Sequence, residues 1–170
     1  SIGASVFPAD DTDPDTLLRY ADQAMYLAKQ AGRNRYHFFD PNQDRQQRTR
    51  REALRAIQTG LEAGQFTLYY QPKVDMREGR VFCAEALIRW RHPERGLLAP
   101  GEFLPLIENT ALDNLLGDWV IEVALSHLEA WWSAGLTLAV SVNISAAHLQ
   151  QPNFTARLAG QLRAHARAPA

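Results

Sequence analysis

Cysteine is almost absent from this chain: Cys83 is the only one among 170 residues. No internal disulfide can form, which suits a reducing compartment and a cytoplasmic location. Long apolar runs are missing as well. No stretch approaches the roughly 18 residues that a membrane helix requires, and no signal peptide is visible. An excess of either charge is also lacking: 18 Lys and Arg oppose 19 Asp and Glu, for a net charge of -1. No overall field therefore draws the chain to polymeric nucleic acid or to acidic lipid. The five histidines include no pair at the i, i+4 spacing of a helical metal site, and none accompanies the cysteine. An initiator methionine is missing too, and Ser1 opens directly into strand-like SIGASVF. The chain reads as an excerpt, so any membrane attachment of the parent would come through segments outside it.

What is present is ordinary for a soluble globular protein, with 46% apolar and 22% charged residues. The length allows about one domain. Ile2–Phe7, closed by Pro8, suits a short buried strand. Asp13 as N-cap, Pro14 at the first helical position and Asp15 in the first turn then predict a helix start. Leu17, Leu18, Ala21, Ala24, Met25 and Ala28 give that helix one apolar face, and Gly32 ends it. Tyr36–Phe39 reads as another short strand. This strand–helix–strand unit, residues 1–40, is too small for an independent core. Residues 41–64 read as a polar, arginine-rich linker merging into an amphipathic helix that carries Leu54, Ile57 and Leu61. No aromatics interleave with its arginines, which argues for a solvated spacer over a nucleic-acid contact.

From Phe66 the pattern changes. Phe66–Val74 and Val81–Trp90 are strand-like and joined by a short turn containing Gly79, which makes them antiparallel. A helix from Pro100, a longer one over about residues 114–134, a strand Thr137–Val142 buried on both faces and a helix from near Pro152 complete the order. That order is the opening of an α/β barrel or doubly wound sheet. Val81–Trp90 holds a carboxylate, Glu85, inside an apolar run. A buried charge is costly unless paired or metal-bound. Arg89, four residues on and on the same face, is a ready ion-pair partner, and equally a guanidinium suited to a phosphate. Asn143 closes a strand at the end where α/β architectures place their sites. A carboxylate and an amide oxygen form a hard donor set, suited to Mg²⁺, Mn²⁺ or Ca²⁺ rather than zinc. Cys83 and Trp131 read as packing residues.

These motifs are more particular than the pattern alone. Phe66–Ala99, FTLYYQPKVDMREGRVFCAEALIRWRHPERGLLA, resembles the opening of an EAL domain, the bacterial phosphodiesterase that linearises cyclic di-GMP. The likeness continues through PGEFLPLIENT and GDWVIEVAL to AVSVNISAAHLQQPNF. SIGAS and ADQAMYLAKQAGRNRY resemble the end of a GGDEF, or diguanylate cyclase, domain. The resemblance implies the N-terminal part of a TIM-like (β/α) barrel with an antiparallel first strand, over 65–170, preceded by the tail of an α/β GGDEF domain. It implies Glu85 and Asn143 as ligands of a catalytic Mg²⁺ or Mn²⁺, Arg89 on a phosphate, and Gln71 and Leu87 lining the substrate pocket. Lys29 and Arg33 match basic positions that approach the nucleotide phosphates in GGDEF domains. The expected partner is cyclic di-GMP, and a homodimer through the EAL part or the linker helix is an assembly the resemblance leaves open. The family's later acidic ligands and the GGDEF signature loop are not in this sequence. The 170-residue piece is therefore expected to be inactive by itself and to associate or change shape over its open strand edges. A receptor that binds cyclic di-GMP without cleaving it, or a cyclase regulated by its EAL half, are the alternatives for the parent.

Overall fold

A computed structural model describes residues 1–7 and 12–165. The chain divides into two compact units, Ser1–Glu52 and Ala53–Ala170.

In the first unit, β1 (Ile2–Ala4) and β2 (Tyr36–Phe38) pair in parallel and α1 (Pro14–Gln30) connects them. The helix starts as its sequence dictates. The Asp13 carboxylate accepts from the Thr16 amide at 2.9 Å, Pro14 follows, and Gly32 takes φ 104° just past the last turn. Gly3 is required by packing, because a Cβ there would collide with the α1 backbone at Ala21 and Met25. Ala24 and Ala28 are buried. The strand Ile2–Phe7 is shorter than expected and not buried. Ile2 is 66% and Phe7 67% exposed, because one helix covers only one face of a two-stranded sheet. Pro8, read as the strand's stop, lies outside the described residues. The linker region forms one helix, α2 (Pro41–Glu62); Gln23 donates to Asp44 near its start, and Ile57 is buried near its end.

The second unit is built on a mixed sheet. β3 (Phe66–Asp75) pairs antiparallel with β4 (Arg80–His92) through the Gly79 turn, where φ is 64°. β5 (Gly96–Leu98) adds antiparallel to the end of β4, and β6 (Ala139–Val142) runs parallel to its first half. A 3-10 turn at Pro100–Glu102, α3 (Leu104–Ile107) and α4 (Ala111–Ser133) link β5 to β6, and α5 (Ala146–Leu149) and α6 (Phe154–His165) follow. The helix expected from near Pro152 is thus preceded by a separate turn of helix capped by Ser145.

The core lies on one face of this sheet. Phe66, Leu68, Ala86, Ile88 and Trp90 pack against Ile57, Phe103, Ile107, Leu116 and Val120. Phe66 stacks on Trp90 with centroids 5.3 Å apart, and the Trp90 indole donates to the Gln65 side chain at 3.0 Å. Tyr70 crosses the same layer to hydrogen-bond His127 at 2.8 Å and meets Trp131 edge-on. Burial pushes the Tyr70 hydroxyl up to about 12. The strand expected over Thr137–Val142 is confined to β6 and is not buried on both faces, since helices cover one side only.

Candidate active site on the open face of the sheet

Side chains alternate along a strand, so burying Ala84, Ala86, Ile88 and Trp90 turns Cys83, Glu85, Leu87 and Arg89 to the opposite face. All four of the latter are half-buried. Register extends that face across the sheet. Glu85 lies between Gln71 on β3 and Ser141 on β6, Leu87 lies opposite Tyr69, and Arg89 opposite Thr67.

Glu85 is not sealed in an apolar run. Its side chain is 29% exposed and its partner is Lys73, not Arg89. The Lys73 ammonium stands 3.2 Å from Glu85 Oε2 and donates to Ser141 Oγ at 3.0 Å. Asn143 Nδ2 donates to Glu85 Oε1 at 2.8 Å. The Asn143 hydrogen bond first, and Lys73 second, hold the carboxyl below its usual range, so Glu85 is ionised at neutral pH. Arg89 turns elsewhere: Nη1 donates to the Ile88 carbonyl at 2.9 Å, and its guanidinium lies 5.8 Å over the Tyr69 ring.

Asn143 owes its place to the residues after it. Ser145 caps α5 by accepting from the His148 amide at 3.1 Å, and its hydroxyl donates to Asp113 on α4 at 2.9 Å. His148 is fully buried and bonds Asp118 at 3.0 Å, so the turn after β6 is anchored to α4 twice. Beside it opens a cavity of about 290 Å³, lined in part by Leu87, Glu108, Asp113, Asn143 and His148.

Gln71, Glu85, Leu87 and Arg89 thus lie on one face of the β3–β4 pair, and Asn143 joins that face through its hydrogen bond to Glu85. Lys29, in the last turn of α1, and Arg33, at φ 59° in the turn after it, belong to the other unit. Lys73 and Ser141 escaped the reading from sequence. Both were within its reach, since each lies two residues from a recognised position, Gln71 or Asn143, and so on the same face.

The donor set suits a hard divalent cation in part. Glu85 supplies an ionised oxygen, and a half-turn of the Asn143 amide would present Oδ1 where Nδ2 now stands. Among the described residues no group of three or more His, Cys, Asp or Glu side chains could hold a metal. Glu85 and Asn143 offer two of the roughly six or more oxygens that such an ion takes.

A mixed sheet backed by helices on one face and carrying polar side chains on the other is the arrangement of an α/β barrel segment. Residues 54–170 match the EAL domain and residues 1–35 match the diguanylate cyclase GGDEF domain. The chain belongs to the EAL family, with the end of a GGDEF domain before it. It is 40% identical over 147 residues to the bifunctional diguanylate cyclase/cyclic di-GMP phosphodiesterase MucR of Pseudomonas aeruginosa, covering 86% of this chain and 22% of that protein. It is 38% identical over 157 residues to the cyclic di-GMP phosphodiesterase PdeR of Escherichia coli, covering 92% of this chain and 24% of that one. The chain thus spans about a quarter or less of the length of these relatives. Among solved structures, the PaMucR phosphodiesterase in its c-di-GMP complex matches with a TM-score of 0.64 and 36% identity, over 67% of this chain and 47% of that one. EAL phosphodiesterases are divalent-metal-dependent enzymes. No helix among the described residues is long and apolar enough to cross a membrane.

Proposed function

We propose that the full-length protein is a cyclic di-GMP phosphodiesterase that opens the cyclic dinucleotide to linear pGpG, working in the cytoplasm. The observation that carries this reading is the 2.8 Å contact between Asn143 and Glu85, which joins a carboxylate on β4 to an amide just past the end of β6. Hydrolysis adds one water across one P–O bond: the water oxygen bonds to phosphorus, and the ribose oxygen leaves with a proton. Glu85 and Asn143 would hold Mg²⁺ or Mn²⁺, which supplies Lewis acidity toward phosphate oxygens and lowers the pKa of water. Arg89 carries five N–H donors, enough to leave a bidentate pair for a phosphate beside its bond to Ile88 O. Gln71, directly across from Glu85, offers an amide to the substrate, and Leu87 forms the apolar wall toward the cavity.

In the GGDEF part, Lys29 and Arg33 are both exposed and less than two turns apart in sequence, a placement that supports contact with nucleotide phosphates. The test is Mn²⁺-dependent conversion of cyclic di-GMP to pGpG by the full-length protein. Turnover is expected, and unchanged turnover in Glu85→Ala would contradict the role given to that residue. Binding without turnover would instead favour the receptor reading.

A further inference from the structure

We propose that Lys73 is an internal counter-cation of this site, which holds Glu85 in place before a divalent ion arrives and opposes that ion's binding. The inference rests on the metal reading of Glu85 and Asn143 given above, and it concerns a residue that reading does not use.

Lys73 stands on β3, paired with Cys83 and so on the open face. Its side chain does not point along its own strand. It reaches diagonally over β4 to touch Glu85 Oε2 at 3.2 Å, and across to β6 to donate to Ser141 Oγ at 3.0 Å. One ammonium thereby ties three strands together on the face where the candidate ligands lie. The β3–β4 ladder slips between Lys73 and Val74, immediately beyond this residue. Bulges of this kind re-aim side chains next to functional sites. Glu85 is consequently flanked on both oxygens: Asn143 is on Oε1 and the ammonium is on Oε2.

A divalent ion binding Glu85 would meet a fixed positive charge within a few ångströms. Repulsion between charges at that range is worth a sizeable factor in affinity even in a solvated cleft. Either the ammonium withdraws, losing its bonds to Glu85 and Ser141, or it stays and weakens the ion. Both routes lower metal affinity, and both are relieved by removing the charge. The gain from keeping Lys73 is order. The carboxylate is held on the open face without a metal, and the ammonium released on loading remains beside the site as a cation for an anionic substrate.

The experiment is a Mn²⁺ titration of the full-length protein, with free ion followed by electron paramagnetic resonance, alongside Lys73→Met, Lys73→Arg and Glu85→Gln. Lys73→Met is expected to tighten Mn²⁺ binding about tenfold, and Lys73→Arg, which keeps the charge, to change it little. Circular dichroism establishes that each variant is folded, and Lys73→Gln replaces Lys73→Met if the latter is not. Unchanged or weaker Mn²⁺ binding in the folded, uncharged variant overturns the counter-cation role while leaving the metal reading intact. Binding by Glu85→Gln as tight as wild type overturns the metal reading itself, and the counter-cation with it.

Discussion

The two faces of β4 differ in what they tolerate. On one, Ala84, Ala86, Ile88 and Trp90 are buried, close-packed against helices and free of charge. On the other, Glu85 and Arg89 keep their charges half in solvent, with lysine, asparagine and tyrosine neighbours. The strand's period of two keeps these environments one residue apart, so the core can be tight without constraining the chemistry opposite. A substitution on the packed face should cost stability, and one on the open face should cost function.

The largest effect belongs to the packed side. Phe103 is 1% exposed and sits at the centre of the Phe66–Trp90 aromatic cluster. Phe103→Ala should destabilise the fold by about 3–5 kcal/mol, read by chemical denaturation. A loss under about 1 kcal/mol would mean that this layer is not a packed core.

On the open side, Glu85→Ala should lower phosphodiesterase turnover at least about a hundredfold, since even outer partners of metal ligands are worth about 10–100-fold. Its denaturation midpoint should stay close to wild type, because the side chain leaves no sealed cavity. A comparable loss of stability would erase the contrast between the faces.

Smaller again is Tyr70→Phe, on the packed face. It removes the hydrogen bond to His127 and should cost about 1 kcal/mol with little change in turnover. Equal stability of the two proteins would show that the His127 contact is not maintained in solution.

The smallest effect tests the outer helices. His165 contacts Glu122 at 3.0 Å and Glu129 at 3.2 Å, both on α4, and these carboxylates, Glu122 foremost, raise its pKa. A raised folded-state value means that protonated His165 stabilises the fold. That contribution is complete below the ordinary imidazole range and is lost as pH rises through the folded value. The difference in melting temperature between wild type and His165→Gln should therefore be larger at pH 6 than at pH 8. The reverse order would contradict the ion pairing.

Much of this was written locally. Asp13 and Pro14 start α1 because a capping carboxylate and a fixed φ act within one turn, and Gly79 closes the β3–β4 hairpin by the same short-range logic. The resemblance to the EAL family carried the open-face residues from Gln71 to Asn143. What escaped depends on contacts distant in sequence. Glu85 looked buried because an apolar run does not say which of its faces is covered. Spacing along one strand points to Arg89 as its ion-pair partner, whereas Lys73 reaches it from the neighbouring strand. β5 has only three residues and no alternation to display, and α5 is a single turn fixed by Ser145 rather than by an apolar face.

The central claim is that Glu85 and Asn143 share one cation. Crystals of the full-length protein loaded with Mn²⁺, measured at the manganese absorption edge, address it directly. A shared cation predicts an anomalous peak in coordination contact with both a Glu85 carboxylate oxygen and Asn143 Oδ1. A manganese peak that touches neither side chain, or only one of them, would contradict it.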